Sequence, residues 1–144
     1  MKKETFGKLF ALCALVGFVG VAPVMADDDE ETPLAEQMET VSGSLKKLRK
    51  AEGFEAKAEL IRGAQAACIK SMEFLPAMFK DIKDEKEKAK AKADFKRLMG
   101  LTLAGLGELE LAFLNEDEDK ADAAIDKLKD LKKEGHNAYI EEDE

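Results

Sequence analysis

The chain has 144 residues, and its 23 Lys and Arg against 31 Asp and Glu give a formal net charge of -8. This length fits one domain and excludes a TIM barrel or a two-domain enzyme. The chain has no Trp and one Tyr, and Val and Ile are scarce after residue 26, which argues against an all-β sandwich. Ala, Leu, Lys and Glu dominate instead, as is typical of long helices. The acidic charge argues against nucleic acid or an anionic membrane surface as the main partner.

The first 26 residues differ from the rest of the chain. Three lysines within the first eight residues precede an apolar run from Leu9 to Val21, which only glycines interrupt. Val24 and Ala26 then supply small residues at the -3 and -1 positions of a cleavage site, and three aspartates follow at once. The pattern predicts a secretory signal peptide over residues 1–26, because the apolar run is short for a membrane span.

Removal of that segment leaves 118 residues with 20 basic and 30 acidic side chains, a net charge of -10. Cys13 follows Leu12, where lipid attachment needs a small residue, so we expect no membrane anchor after cleavage. Cys68 is then the one remaining cysteine, and an intrachain disulfide is excluded. The fold must therefore rest on a packed apolar core.

Helical periodicity organises the remaining chain after an acidic, disordered leader over residues 27–31. Thr32 and Pro33 read as the cap and first residue of a helix that ends at Gly53. A second helix is predicted from near Phe54 until Pro76 stops or kinks it. A third starts in the charged run 84–92, and a fourth runs from about residue 120. The inward-facing positions are predicted at helical spacing: Leu34, Met38, Val41, Leu45 and Leu48; Ala58, Ile61, Gln65, Cys68 and Met72; Phe95, Met99, Thr102, Leu106, Leu109 and Phe113; Ala121, Ala124, Ile125, Leu128 and Leu131.

Four such helices predict an all-α fold, an antiparallel up-down-up-down four-helix bundle over residues 32–140, followed by an acidic tail over 141–144. Catalytic signatures are missing from the sequence: it has no Gly-rich phosphate loop, no HExxH and no Ser-centred elbow. We therefore expect no enzyme activity. Cys68 lies on an apolar stripe, which predicts a buried, inert thiol.

Met38 and His136 are the pair of side chains with distinctive chemistry. In an antiparallel bundle the start of the first helix and the end of the fourth meet at one end. His136 comes eleven residues after Ile125, about 20° from it around the helix, so we expect it on the buried side facing Met38. A thioether and an imidazole are the axial ligands of many electron-transfer haems. Each residue also has an ordinary alternative: Met38 as core, and His136 as a partner of the helix dipole.

Three stretches of the chain strengthen this interpretation. They are Leu34-x-x-x-Met38-Glu39-Thr40-x-x-x-x-Leu45-Lys46, then Asp94-Phe95-Lys96, then Leu128-Lys129 with His136 and Tyr139 following. Over about Thr32 to Tyr139 the chain resembles soluble cytochrome b562, a family of periplasmic four-helix-bundle haem proteins.

The resemblance implies one non-covalent haem b per chain, with iron held by Met38 and His136. It also implies that Leu34, Val41, Phe95 and Met99 line the haem pocket and that Lys132 contacts a propionate, in a periplasmic, monomeric electron carrier. A redox partner with a basic docking face would suit the acidic charge. The alternative is a haem-free helical bundle that binds a protein or a metal ion in the periplasm.

Overall fold

The structure, a computed structural model, describes residues 32–139, and its regular elements in that range are all helical. The four α-helices are α1 (Pro33–Lys47), α2 (Phe54–Ser71), α3 (Glu85–Leu114) and α4 (Glu118–Tyr139). Two short 3₁₀ helices, Leu48–Lys50 and Ala77–Lys80, lie in the first two connections. The predicted all-helical class is confirmed for this part of the chain. The predicted signal peptide, leader and tail lie outside the described residues.

Local side-chain chemistry fixes where the helices begin. The Ala35 amide donates to Thr32 Oγ1 at 3.2 Å, and Pro33 occupies the first turn, so the predicted start of α1 is confirmed. Asp84 caps α3 in the same way, accepting from the Glu87 amide at 2.8 Å. α4 begins two residues before the expected Lys120, since Asp117 already supplies the capping carboxylate.

Two helix ends differ from the predictions. α1 stops at Lys47 and tightens into a 3₁₀ turn, so the predicted end at Gly53 is late. Gly53, with φ of 81°, instead forms the turn into α2. α2 ends at Ser71, ahead of the predicted breaker Pro76, and its Ser71 hydroxyl donates to the Cys68 carbonyl at 2.6 Å.

Packing follows chain order: α1 lies on α2, α2 on α3, and α3 on α4, whereas α1 and α4 make no extensive contact within residues 32–139. Arg62 of α2 pairs with Glu110 of α3, and Cys68 further along α2 pairs with Met99. One core runs through all four α-helices and both 3₁₀ helices: Val41, Leu48, Ala58, Ile61, Ala64, Ala67, Cys68, Phe79, Phe95, Met99, Leu106, Leu109, Ala112, Phe113, Ala121, Ala124 and Leu128.

α4 approaches α3 closely at Gly105. A Cβ atom added there would lie 3.0 Å from Leu128 Cδ2, so a side chain on α3 would collide with the core of α4. Glycine is therefore the residue that lets these two helices pack at this point. A Cβ at Gly100 or Gly107 would meet nothing within 4 Å.

Candidate functional site

Met38 lies at the margin of the buried face of α1. The most buried residues of this helix are Gln37, Val41 and Ser44, which form a line towards the rest of the fold. Met38 is about 100° around the helix from Gln37. Together with Leu34 and Leu45 it is half-buried and packs against the edge of the core. The predicted apolar stripe of α1 is thus turned partly away from its neighbour α2.

His136 is exposed, so the expectation that it lies on the buried side of α4 is wrong. The buried face of α4 passes through Ala121, Ala124 and Leu128. Ile125, from which the expected direction of His136 was measured, is itself only half-buried at the border of that face. A further 20° of rotation from this border position brings His136 into solvent.

The ion pairs that join α4 to α3 show which way the side of α4 that carries His136 faces. Lys127 pairs with Glu108 at 2.8 Å, and Glu134 pairs with Arg97 at 2.6 Å, so both mark the flank towards α3. The step from Lys127 to His136 turns the helix by about 180°. His136 therefore lies on the flank of α4 opposite these ion pairs, about 80° around the helix from Leu128, which packs against Gly105 of α3.

The other predicted site residues fall into two groups. Val41, Phe95 and Met99 are buried, the last two at 6% and 5% exposure, and so belong to the helix core. Leu34 is half-buried beside Met38, while Lys132 is exposed one turn before His136. The structure thus brings Leu34, Val41 and Met38 together on α1. It does not pack them against Lys132 and His136 on α4.

An aromatic cluster includes the C-terminal end of α4. Phe95 contacts Tyr139 edge to face with ring centroids 5.6 Å apart, and Phe79 contacts both rings at 6.2 and 5.6 Å. Such edge-to-face pairs add to the gain from simple burial. Phe79 comes from the 3₁₀ turn before α3, so the cluster ties three segments of the chain together. It fixes the last turn of α4, three residues after His136.

A polar contact reinforces the cluster. The Tyr139 hydroxyl donates to Asp94 Oδ2 at 2.6 Å, and this hydrogen bond, with help from Arg97, holds the pKa of Asp94 below its usual value. Burial and the adjacent carboxylate raise the pKa of Tyr139 to about 12. Arg97 also reaches Glu134 on α4. Sequence reasoning missed this contact, although Asp94 and Tyr139 both lie in the stretches that resemble the cytochrome family.

Cys68 is fully buried, as predicted, and burial raises the pKa of its thiol to about 11. Its Sγ donates to the Met99 carbonyl oxygen at 3.7 Å. A thiol with a raised pKa and no exposed surface is a poor nucleophile. The geometry agrees with a structural role for Cys68.

Two open recesses lie near the connection between α3 and α4, at a distance from the predicted haem-binding residues. One, of about 580 Å³, is lined by Phe54 and residues 115–119, and the second, of about 340 Å³, by residues 53–55, 113, 114 and 116. No predicted haem-binding residue lines either recess. Between residues 32 and 139, no group of three or more His, Cys, Asp or Glu side chains is placed to hold a metal ion. No helix in that range is long and apolar enough to cross a membrane.

Comparisons with known proteins add no assignment: no protein-family model and no curated protein matches this chain significantly.

Proposed function

We propose that the protein is a periplasmic electron carrier, related to the soluble cytochromes b562 that it resembles, and that Met38 and His136 are the axial ligands of one non-covalent haem b. One observation carries the proposal. The two helices that bear these side chains, α1 and α4, are the first and last of the fold and do not pack extensively on each other. A flat cofactor would be accommodated between these two helices without opening the core.

The arrangement we propose is the antiparallel up-down-up-down bundle. The order of the contacting residues supports it. Arg62, early in α2, contacts Glu110, late in α3, whereas Cys68, later in α2, contacts Met99, earlier in α3, so these two helices run in opposite directions. Between α3 and α4, Glu108 pairs with the early residue Lys127 and Asp94 with the late residue Tyr139. With α1 reversed against α2 in the same manner, the start of α1 and the end of α4 lie at one end.

The side chains supply the proposed ligand set in type, and neither belongs to the fully buried core. Met38 presents a thioether from a half-buried apolar flank that Leu34 and Val41 continue. His136 presents an imidazole from an exposed flank of α4, on the side opposite the ion pairs to α3. Lys132, one turn earlier on α4, would offer its ammonium group to a propionate.

Haem bound in this way would supply reversible one-electron chemistry, and a thioether ligand would raise its reduction potential. Met38 and His136 would occupy both axial positions and so exclude substrates from the iron. Secretion through the signal peptide would place the carrier in the periplasm. Its acidic surface would favour a redox partner with a basic docking face, in an association that salt weakens.

The experiment is a titration of the purified protein with haem b, followed by visible spectroscopy of the oxidised and reduced forms. We expect saturation at one haem per chain, with the sharp Soret and reduced α bands of six-coordinate low-spin iron. His136→Ala is expected to abolish the low-spin spectrum. Asn137→Ala, which changes the exposed next residue, is the matched control and is expected to retain it. A His136→Ala protein with an unchanged low-spin spectrum would refute the ligand assignment.

A second candidate is a haem-free bundle that acts as a protein- or metal-binding module. The observation that favours it is the completeness of the core: Phe95 and Met99 are buried by protein, and no buried side-chain polar atom in the described range is without a hydrogen-bond partner. A protein that stays colourless with excess haem, while remaining helical and stable, would favour this candidate over the electron carrier.

A further inference from the structure

The end of α1 carries a compact group of positive charges. Lys46 and Lys47 close the helix, and Arg49 and Lys50 follow in the first 3₁₀ helix; these four residues are hereafter the basic cluster. All four side chains are exposed, whereas Leu48 between them is buried in the core. At helical spacing the four side chains fall within roughly 160° of arc and about 6 Å of length. They therefore form one patch on the solvent side of the fold.

No acidic side chain neutralises the basic cluster. From Thr40 to Ala51 the sequence contains neither Asp nor Glu. Among residues 32–139 none of the four side chains forms an ion pair, although six other Lys and Arg residues do. The acidic connection 115–119 joins α3 and α4, and in this range neither helix packs extensively on α1. The charge of the patch is thus available to a partner.

The basic cluster is unfavourable for the protein alone. Lys46 and Lys50 are four residues apart, and Lys47 and Lys50 are three apart, spacings at which like charges on a helical turn repel each other. The dipole of α1 favours cations in the last turn of the helix and so accounts for Lys46 and Lys47. Arg49 and Lys50 lie beyond that turn. An external anion would relieve the repulsion that these two residues add.

The acidic net charge of the chain is unevenly distributed along the sequence. Residues 32–139 hold 20 basic and 21 acidic side chains, whereas residues 27–31 and 141–144 are all acidic and supply almost all of the net charge of -10. Lys46 lies about 20 Å along α1 from Pro33, more than two Debye lengths of about 8 Å at physiological salt. The local positive charge therefore decides what the basic cluster attracts, and the net charge of the chain does not.

The surroundings of the basic cluster indicate the kind of partner. Protein interfaces are built around desolvated apolar or aromatic anchors. Between Thr40 and Ala51 the large apolar side chains are turned inward: Val41 and Leu48 are buried, and Leu45 is half-buried against the core. A phospholipid surface needs no such anchor, because each Lys or Arg near anionic headgroups contributes separately. A patch of charge without an apolar centre fits a membrane surface better than a protein.

We propose that the basic cluster adsorbs the protein reversibly to anionic phospholipid surfaces, with headgroup phosphates as the partners of its ammonium and guanidinium groups. The proposal involves neither a membrane span nor a lipid anchor. It departs from the expectation drawn from the net charge, because most of that charge lies outside residues 32–139. It also does not depend on haem, since none of the four residues belongs to the proposed haem site.

Co-sedimentation of the secreted protein with vesicles of phosphatidylglycerol and phosphatidylcholine tests the proposal. Lys46→Gln combined with Lys50→Gln removes two charges from the basic cluster. Lys83→Gln combined with Lys86→Gln is the matched control, because both lysines are exposed, form no ion pair within residues 32–139 and change the net charge equally. At about fivefold for each lysine, we expect the cluster variant to bind about 25-fold more weakly. The control is expected to stay within about twofold of the unchanged protein.

Three comparisons make the vesicle experiment decisive. Binding is expected at low salt and is expected to be lost at high salt, because the contacts are electrostatic and exposed. Vesicles of pure phosphatidylcholine are expected to bind no protein, and equal binding to them would overturn the proposal. No binding to the anionic vesicles at low salt, or equal weakening by both pairs of substitutions, would overturn it as well. If soluble polyglutamate binds the basic cluster while the vesicles do not, the partner is an acidic protein and the proposal is wrong.

Discussion

Gly105→Ala tests the packing of α3 against α4, on which the position of His136 depends. The added Cβ would lie 3.0 Å from Leu128 Cδ2 and 3.4 Å from its Cγ. Favourable carbon–carbon contacts lie at about 3.5–4.0 Å, so Leu128 would have to move by roughly half an ångström. Leu128 is 5% exposed and enclosed by the core, which leaves it little room.

The two effects of this substitution have opposite signs. Replacing glycine by alanine in a helix stabilises it by about 1 kcal/mol, whereas forcing a methyl group into a packed core costs about 1–3 kcal/mol. We therefore expect Gly105→Ala to lower the free energy of unfolding by about 1 kcal/mol. Gly43→Ala, where the space is open, is the control and is expected to raise it by about 1 kcal/mol.

Urea denaturation followed by circular dichroism measures both variants on one scale. A difference of about 2 kcal/mol between them is the expected outcome. Adding Leu128→Ala to Gly105→Ala is expected to cost less than Leu128→Ala alone, because the methyl group fills part of the vacated space. If Gly105→Ala stabilises the protein as much as Gly43→Ala does, α4 does not pack on α3 in the way described here.

Three further predictions concern other parts of the account. Burial raises the pKa of the Cys68 thiol from 9.0 to about 11, so the unfolded chain loses this proton first, and stability should fall as pH rises from 9 through 11. Urea titrations across this pH range should show that the free energy of unfolding falls by about 2–3 kcal/mol less in Cys68→Ala than in the unchanged protein. Tyr139→Phe removes the hydrogen bond to Asp94 and is expected to cost about 1–2 kcal/mol in unfolding free energy, but less in an Asp94→Ala background, where the carboxylate acceptor is already missing. The intact mass of the secreted protein should correspond to a chain that begins at Asp27, and retention of residues 1–26 would contradict the signal peptide.

Local sequence patterns were sufficient to predict the helices and where they begin. Thr32 with Pro33, and Asp84 within its charged run, determine helix starts through contacts a few residues away. The end of α2 was predicted less well, because Pro76 shows where a helix cannot continue but not that Ser71 already ends it. Such ends depend on how the following segment packs, here with Phe79 in the core.

The candidate site depended on contacts that periodicity does not encode. Gln37 and Ser44 are buried in α1 although an apolar stripe was available beside them, since the neighbours of a helix decide which face is covered. His136 was predicted to be buried but is exposed, because the apolar face of α4 is narrow and the helix carries many charged residues. The Asp94–Tyr139 hydrogen bond joins residues 45 positions apart, a separation at which no local pattern operates.

The most direct test of the axial ligation is the NMR signal of the Met38 methyl group in the reduced haem complex, observed with ¹³C-methyl-labelled methionine. A thioether bound to ferrous low-spin iron lies against the porphyrin face, where the ring current shifts its methyl signal far upfield. We predict that one methionine signal shifts in this way and that Met38→Leu removes it. If every methionine signal of the complex stays in its ordinary range, Met38 does not bind the iron, and the proposed ligation is wrong.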